Sequence, residues 1–282
     1  MKILTGKRAL VTGAASGIGR GIALALAAEG VDLWLLDIDL IGLTELANAA
    51  SAHGVTIVTD HCDVSKCDDI SRATKKLQAS WSGLDILVNN AGVAYYGPTD
   101  RMTAEQWQWV MNINLMAPLQ FTRELLPLLL AQPESHLLNI CSVSGLVAGG
   151  RFAAYHTSKF GLVGYTEAMR AEFGRQGMGV TSLCPGPVQT NLYKRAISGR
   201  PEKAVPIPPD WICSSVDKVS QQAIKAIRKN RRFVLIGFVA YTLFYVKKFV
   251  PGLLDFMNQA SRKKRLPKVA VAPVLLEEKR AA

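Results

Sequence analysis

The strongest constraint on the fold of this 282-residue chain is a regular alternation of apolar, strand-like runs and helix-like runs. Because neighbouring parallel strands need crossover connections, this order predicts a doubly wound parallel sheet with helices on both faces, in a single α/β domain. Strands are predicted at residues 8–12, 31–36, 55–60, 84–88, 136–141, 180–184 and 234–236, and helices at 22–28, 41–52, 66–81, 118–130, 153–176 and 216–229, with a further helix opened by a capping box at Thr103 and Gln106.

A glycine-rich turn links the first predicted strand to the first predicted helix. Gly13, Gly17 and Gly19 stand in this turn, and an apolar helical run follows them directly. Glycine permits a tight turn and close approach of a ligand to the backbone, and the helix N-terminus offers N–H groups and a positive dipole end. The order strand, glycine turn, helix therefore predicts a site for a dinucleotide diphosphate.

An acidic residue at the end of the second predicted strand bears on the choice of dinucleotide. Asp37 lies near the position at which a carboxylate binds the adenine ribose in such folds. A carboxylate there accepts a hydrogen bond from a 2′-hydroxyl and repels a 2′-phosphate. The following residues, Ile38 and Asp39, are not basic, and Ser16 in the turn is neutral. The sequence favours NAD over NADP, the alternative being an Asp that only caps the next helix.

The segment Tyr155-His-Thr-Ser-Lys159 carries the clearest catalytic signal. On a helix, Tyr155 and Lys159 lie on one face, one turn apart. A tyrosine hydroxyl ordinarily has a pKa of about 10, and a nearby ammonium group lowers that pKa by favouring the phenolate. The pair therefore suits a general acid or base acting on a hydroxyl or carbonyl, although the same spacing also occurs by chance on solvated helix faces.

Further small and polar residues follow predicted strands, at the edge of an open α/β sheet where ligands bind. A buried helical Asn usually only satisfies nearby backbone, so Asn114 would not be singled out by structure alone. The residues at strand ends are Asp63-Val64, Asn89-Asn90-Ala91-Gly92, Ser142 and Pro185-Gly186-Pro187-Val188-Gln189-Thr190.

Taken together, these motifs resemble those of the short-chain dehydrogenase/reductase family in its single-domain form. The resemblance covers approximately residues 5–190 and the last strand, and it implies a Rossmann-like fold. The motifs, in the family's order and at roughly its spacing, are TGAASGIG (12–19), Asp37, Asp63-Val64, NNAG (89–92), Asn114, Ser142, YHTSK (155–159) and PGPVQT (185–190).

The resemblance implies a role for each catalytic residue. Tyr155 is the general acid/base, and Ser142 hydrogen-bonds the substrate oxygen. Lys159 bonds the nicotinamide ribose and lowers the pKa of Tyr155. Asn114 holds a water that links Lys159 to bulk solvent for proton relay. No metal site is expected.

The resemblance also implies the residues that bind the cofactor. They are Gly13, Ser16, Gly17, Ile18 and Gly19 at the diphosphate, Asp37 at the adenine ribose, Asp63 and Val64 at the adenine, Asn90, Ala91 and Gly92 where the backbone lies against the cofactor near the nicotinamide-side ribose, Tyr155 and Lys159 at that ribose, and Val188 and Thr190 at the carboxamide.

We therefore predict an NAD-dependent alcohol dehydrogenase or carbonyl reductase. A hydride moves between the nicotinamide and the carbon of an alcohol, ketone or aldehyde, and the Leu-, Phe-, Val- and Tyr-rich C-terminal third predicts an apolar substrate. Alternatives are an epimerase or dehydratase using the same Tyr–Lys pair and a non-catalytic dinucleotide-sensing module. A homodimer or homotetramer is predicted through helices 118–130 and 153–176, and no nucleic-acid partner is expected.

Cysteine usage and the N-terminus bear on location. The five cysteines form no Cys-x-x-Cys motif, so neither a disulfide framework nor a zinc site is indicated, and a reducing compartment is expected. The N-terminus has no pattern of a signal peptide and runs directly into a strand. We expect a cytoplasmic protein that is also a candidate for membrane association.

The C-terminal third differs in charge and hydropathy. Residues 1–190 carry a net charge of −2 and residues 191–282 a net charge of +13. We expect a domain at 1–237 with a substrate lid at about 188–215, an apolar and basic extension at 238–266, and a flexible tail at 267–282. The 14-residue apolar run at 233–246 is shorter than the ~20 residues of a membrane span. The extension is predicted to be a subunit contact or substrate lid, or to lie on an anionic membrane through residues 241–257 and the basic cluster 262–265.

Overall fold

The computed structural model describes residues 1–200 and 204–260. Its centre is a seven-stranded sheet in which all neighbouring strands are parallel, as predicted. Two short strands, β5 (Tyr95–Tyr96) and β8 (Ile197–Ser198), pair separately. The strands of the main sheet are β1 (Arg8–Thr12), β2 (Asp32–Asp37), β3 (Ile57–His61), β4 (Ile86–Asn89), β6 (Ser135–Ile140), β7 (Met178–Pro185) and β9 (Phe233–Ile236), in the spatial order β3-β2-β1-β4-β6-β7-β9.

Helices connect the strands and cover both faces of the sheet. The capping box predicted at Thr103 and Gln106 is confirmed, because each side chain bonds the other residue's backbone N–H. The helices are α1 (Gly17–Ala28), α2 (Leu40–Ser51), α3 (Cys67–Ser80), α4 (Ala104–Met111), α5 (Ala117–Leu130), α6 (Ala153–Phe173), α7 (Leu192–Arg195), α8 (Val216–Arg228), α9 (Phe238–Phe249) and α10 (Pro251–Ala260).

The core has two layers because successive strand residues point to opposite faces of the sheet. Val11 of β1 belongs to a cluster with residues of α1, α2 and α8. Its neighbour Leu10 belongs to a second cluster with residues of α3, α5 and α6. Strands that are buried on both faces read as continuous apolar runs, which is why they stand out in the sequence.

The strand order reverses between β1 and β4, and this places their carboxyl ends side by side. Chain connections run from β1 outward to β2 and β3, and then from β4 outward to β6, β7 and β9. Such a switch point leaves a crevice at the carboxyl edge of the sheet, which is where open α/β sheets bind ligands.

Most predicted elements are present with ends shifted by one or two residues. The helix predicted at 153–176 is shorter than expected. It ends at Phe173, and Gly174–Gln176 forms a 3₁₀ turn. Gly177 follows with a φ of 86°, a left-handed conformation that stops the helix. A π-helical turn at Asn112–Met116, between α4 and α5, was not predicted.

The C-terminal apolar run divides into two elements. Its first part is β9, and Gly237, with a φ of 89°, redirects the chain into α9. Helix α9 ends at Phe249, and α10 begins at Pro251, a residue whose fixed φ suits the first turn of a helix. Among residues 1–200 and 204–260, none of the helices combines the length and apolarity that crossing a bilayer requires. The predicted basic cluster 262–265 and tail 267–282 lie outside the described residues.

Candidate active site

The predicted motifs meet at one edge of the sheet. The glycine turn follows β1, and Asn90-Ala91-Gly92 follows β4. Ser142 comes after β6, and the Pro-Gly turn comes after β7. Because these strands are parallel neighbours, their carboxyl ends form one continuous rim, and α6 brings Tyr155 and Lys159 to it.

Close packing explains the glycines of the turn. Gly13 has a φ of 63°, and a Cβ atom there would lie 2.8 Å from the Cα atom of Ala91. A Cβ atom on Gly19 would lie only 2.2 Å from the carbonyl oxygen of Gly13. Gly17 also has a positive φ, of 55°. Side chains at these positions would push apart the backbone segments after β1 and β4.

The N-terminus of α1 carries the kinds of group that bind anions in proteins. Ser16 is the residue before the helix, and its hydroxyl makes no capping hydrogen bond to the first turn within the described part of the chain. Ile18 is half-buried and packs against the core, which fixes the start of the helix. First-turn N–H groups, the helix dipole and a hydroxyl therefore converge where the resemblance implies a diphosphate.

Asn90 and Thr12 brace the same turn. The Asn90 side chain donates hydrogen bonds to the carbonyl oxygens of Thr12 (3.0 Å) and Gly13 (2.9 Å). The buried Thr12 hydroxyl accepts from the N–H groups of Asn90 (3.0 Å) and Ala91 (3.1 Å). Thr12 opens the TGAASGIG motif, but no role of its own was predicted for it. Its signal is a hydroxyl at the carboxyl end of a strand whose other buried residues are apolar.

Asp37 is the last residue of β2 and reaches the glycine turn. Its carboxylate accepts from the N–H groups of Ala15 (2.9 Å) and Asp39 (3.1 Å). The helix-capping alternative falls to a different residue, because Asp39 caps α2 by accepting from Gly42 N–H at 3.0 Å. Asp37 therefore lies at the carboxyl edge of the sheet, one strand away from the switch point and beside the predicted diphosphate site.

Asp63 and Val64 follow β3, the neighbour of β2 in the sheet. The Asp63 carboxylate accepts from the N–H (3.0 Å) and hydroxyl (2.7 Å) of Ser65 and pairs with Lys66 at 3.4 Å. Partial burial opposes the ionised form, yet these hydrogen bonds and Lys66 lower the pKa of Asp63. Val64 is half-buried against the second core cluster. Both residues sit on the same rim as Asp37.

Tyr155, Lys159 and Ser142 meet as expected. The Lys159 ammonium lies 5.9 Å from the centroid of the Tyr155 ring, and the Ser142 side chain is near enough to Tyr155 to act on the pKa of its hydroxyl. The Ser142 hydroxyl also accepts from Ser144 N–H at 3.0 Å, which fixes its orientation. A proton-transfer group, a hydrogen-bonding hydroxyl and an ammonium group thus occupy one corner of the rim.

The expected lowering of the pKa of Tyr155 by Lys159 is not found. Burial of the ring raises the pKa of Tyr155 above its ordinary value, Tyr193 raises it further, and the Ser142 side chain only partly offsets this. Lys159 itself is 4% exposed, and its ammonium donates to the carbonyl oxygen of Ile140 at 2.8 Å. Burial also lowers the pKa of the Lys159 ammonium.

Asn114 lies in the π-helical turn and is fully buried. Its side chain accepts from Val93 N–H (2.8 Å) and donates to the Val93 carbonyl oxygen (2.9 Å) and the Ser158 hydroxyl (3.1 Å). Both amide protons are therefore used, and they tie the segment after β4 to α6. Whether Asn114 also holds a relay water stays a prediction.

His156 holds the loop that follows β6, a role that was not predicted although the residue lies within the YHTSK motif. Its Nδ1 atom lies 2.9 Å from the carbonyl oxygen of Ser144, and its Nε2 atom accepts from Gly149 N–H at 3.0 Å. This pattern requires a neutral ring with the proton on Nδ1. Burial lowers the pKa of His156, which favours that neutral form.

Val188 and Thr190 lie beyond β7, at the start of the predicted lid. Val188 is buried and bridges Ser214. The Thr190 side chain faces the glycine turn, since a Cβ atom on Gly17 would lie 3.2 Å from its methyl group. Tyr193 on α7, near Tyr155, is a further site residue that the sequence analysis missed. These residues close the rim on the side opposite Asp37.

The residues fit a nicotinamide dinucleotide. The glycines let the turn pack closely against Asn90, Ala91 and Thr190, α1 presents its N-terminus beside that turn, and the Asp37 carboxylate reaches it through Ala15 N–H. When bound, such a cofactor supplies or accepts a hydride. A glycine turn at the switch point, with Tyr155, Lys159 and Ser142 on the same rim, defines a Rossmann-type oxidoreductase domain.

Comparison with known proteins also indicates an oxidoreductase of this fold. A family model described as short chain dehydrogenase matches residues 7–200. The chain is 34% identical over 201 residues to D-beta-hydroxybutyrate dehydrogenase of Cupriavidus necator, covering 71% of this chain and 78% of that protein. The chain belongs to the short chain dehydrogenase family.

Solved structures share the fold over nearly the whole chain. A short chain dehydrogenase/reductase from Burkholderia phymatum in complex with NAD has a TM-score of 0.78 and 24% identity, covering 94% of this chain and all of that one. An alcohol dehydrogenase from Thermococcus sibiricus complexed with 5-hydroxy-NADP has a TM-score of 0.72 and 22% identity, covering 83% and 97%. Neighbours of this fold thus include complexes with NAD and with an NADP derivative.

Proposed function

We propose that this protein is an NAD-dependent oxidoreductase that interconverts an alcohol and a carbonyl compound. The observation that carries the proposal is the meeting of Tyr155, Ser142 and Lys159 beside the glycine cradle. Ser142 orients the substrate oxygen and stabilises charge on it, and Tyr155 exchanges the proton. A phenol whose pKa is raised by burial starts protonated at neutral pH, which suits donation to a carbonyl oxygen in the reduction direction.

NAD is the proposed cofactor because of Asp37. Its carboxylate is held toward the glycine turn by Ala15 N–H and is ready to accept from a ribose hydroxyl. A 2′-phosphate at that position would meet a like charge, which costs free energy because the site is only partly exposed to water.

The substrate is proposed to be apolar near its reacting carbon. Aromatic rings flank the proton-transfer residue, with the ring centroids of Tyr155 and Phe152 6.1 Å apart and those of Phe152 and Tyr96 4.9 Å apart. Tyr193 approaches from the lid. Such a wall favours burial of apolar groups over charged ones.

The test is reduction of NAD, followed at 340 nm, with a panel of alcohols of increasing chain length. Tyr155→Phe removes only the hydroxyl, and we expect turnover to fall by roughly 10²-fold or more while NAD still binds. Tyr241→Phe, in an exposed tyrosine on α9, is the matched control and should keep normal turnover.

Near-normal turnover of the Tyr155→Phe variant would contradict the assigned role. A wild-type protein that binds NAD by calorimetry but oxidises no alcohol and reduces no carbonyl compound would favour the dinucleotide-sensing alternative. Product formation without net change in the cofactor would favour an epimerase or dehydratase.

We also propose a homodimer or homotetramer assembled through α5 and α6. The outward face of α6 carries Phe160, which is exposed, and Gly164, beside which there is open space. An apolar side chain beside a glycine is suited to close helix–helix contact. Light scattering that shows only monomer at micromolar concentration would count against this assembly.

A further inference from the structure

We propose that α9 and α10 bind the surface of an anionic lipid membrane. The proposal does not rest on the proposed activity. A surface helix normally turns its apolar side to the core and its polar side to water. Helix α9 departs from this pattern because it exposes large aromatic side chains.

Helix α9 turns an aromatic stripe outward. At about 100° per residue, its four exposed aromatic side chains fall within an arc of about 80°. Phe238 is 83% exposed and Phe249 is 68% exposed, so these are not rings that only touch the surface. The rings of Tyr245 and Phe249 stack at 6.0 Å, which joins them into one patch. The stripe consists of Phe238, Tyr241, Tyr245 and Phe249.

The opposite side of α9 already has its partners. Ala240 is fully buried, and Phe244 packs on Phe233 of β9 with ring centroids 5.8 Å apart. Lys247 also points inward, with its ammonium 4.8 Å from the Phe160 ring centroid. The helix is therefore docked on the domain by its inner face, and its orientation leaves the aromatic stripe in water.

Helix α10 continues the apolar surface. Leu253 and Phe256, one helical turn apart, are both exposed, and Phe256 is 69% exposed. Val250 at the junction of the two helices is exposed as well. Asp255 is two residues from Leu253, about 200° around the helix, so its charge does not interrupt the stripe.

The basic charge of the C-terminal extension indicates which kind of lipid surface it would bind. Residues 238–266 contain six Lys or Arg residues and one acidic residue, Asp255. Lys248 borders the stripe, with its ammonium 5.4 Å from the Phe249 ring centroid. Basic residues next to shallowly inserting aromatic rings match an anionic lipid surface, and Tyr rings suit the boundary between headgroups and acyl chains.

A second copy of the chain fits this surface less well. In a two-fold symmetric contact both copies bury the same patch, so Lys248 of both copies would be brought into one interface. A membrane containing anionic lipid attracts the same charges. The charge balance of the extension therefore favours the membrane over a subunit contact.

The test is flotation of the full-length protein with vesicles of equal parts phosphatidylcholine and phosphatidylserine, compared with phosphatidylcholine alone. We expect the protein to float with the anionic vesicles, and roughly 1 M salt to weaken this by reducing the Debye length to about 3 Å. The double variant Phe238→Ser/Phe249→Ser should reduce the floating fraction at least roughly tenfold, because two inserting rings are lost.

A matched control separates this surface from general stickiness. Ile3 and Ile41 are 74% and 76% exposed in the N-terminal part of the chain, and Ile3→Ser/Ile41→Ser should float like wild type. Equal flotation of the Phe238→Ser/Phe249→Ser variant and wild type would overturn the proposal. So would wild-type protein that stays unbound to anionic vesicles at low salt. If either result is found and Phe238→Ser/Phe249→Ser also forms a smaller oligomer than wild type by light scattering, the surface is a subunit contact.

Discussion

Thr12→Val is the perturbation that tests most directly how the cofactor cradle is held. Valine has nearly the shape of threonine, so the change removes the hydroxyl with little change in packing. In the wild type this hydroxyl accepts from Asn90 N–H at 3.0 Å and from Ala91 N–H at 3.1 Å. It also makes a long contact to the carbonyl oxygen of Val88 at 3.5 Å.

The expected cost follows from the two donors that lose their acceptor. A buried N–H without a partner costs about 1–3 kcal/mol. Because Asn90 and Ala91 are half-buried and water can partly replace the hydroxyl, we take the lower part of that range and expect a loss of about 2–4 kcal/mol of unfolding free energy. For a chain of this size that corresponds to a fall in Tm of roughly 3–7 °C. The loosened turn should also bind NAD more weakly.

Urea unfolding and calorimetric titration with NAD, at equal protein concentration, measure both effects. Thr12→Ser is the matched control, because it keeps the acceptor and loses only a methyl group. We expect the Ser variant to bind NAD nearly as wild type does and the Val variant to bind it less tightly. If Thr12→Val lies within about 0.5 kcal/mol of wild type and binds NAD equally, the bracing role of this hydroxyl is refuted.

Three further predictions follow from the same structure. Asp37→Asn removes the charge but keeps an oxygen for Ala15 N–H, and the ratio of KM values for NADP and NAD should fall roughly tenfold or more; an unchanged ratio would remove the basis for NAD preference. His156→Phe should lower kcat/KM by roughly tenfold through the loss of two hydrogen bonds, while the Kd of NAD stays unchanged. His156→Gln should recover part of that loss. Equal losses of kcat/KM in both variants would exclude a role of His156 in positioning the loop after β6. Burial lowers the pKa of His136 to about 3, so stability should fall with decreasing pH below about 6.5, by up to about 1.4 kcal/mol per pH unit, and urea midpoints of His136→Gln should show a shallower fall.

The sheet could be predicted because each of its strands is recognisable from its own short stretch of sequence. Leu10 and Val11 are apolar neighbours that point to different core clusters, so the strand is apolar throughout and stands out from the helices around it. The glycine turn was equally readable, because Gly13 and Gly17 are the residues that a left-handed backbone requires. Local chemistry is sufficient in both cases.

The roles of Thr12 and Tyr193 were not predicted because their partners lie far away in the chain. The Thr12 hydroxyl accepts from Asn90 N–H, and Tyr193 of α7 raises the pKa of Tyr155 on α6. The local sequence around Thr12 does not show which backbone N–H groups its hydroxyl accepts from. The expected lowering of the pKa of Tyr155 failed for a similar reason, because burial raises that pKa and the sequence alone does not show how deeply the ring is buried.

The loop between β6 and α6 contacts both the helix that carries Tyr155 and the C-terminal helix α9. Ser142 stands at its start, and His156 holds its middle through Ser144 and Gly149. From the other side, the Lys247 ammonium of α9 donates to the carbonyl oxygen of Leu146. The loop that positions Ser142 beside Tyr155 is thus anchored both to the catalytic helix and to the C-terminal helix with the aromatic stripe. A shift of α9 larger than the flexible Lys247 side chain can follow would move Leu146 or break that hydrogen bond, which links contacts made by the stripe to the loop that carries Ser142.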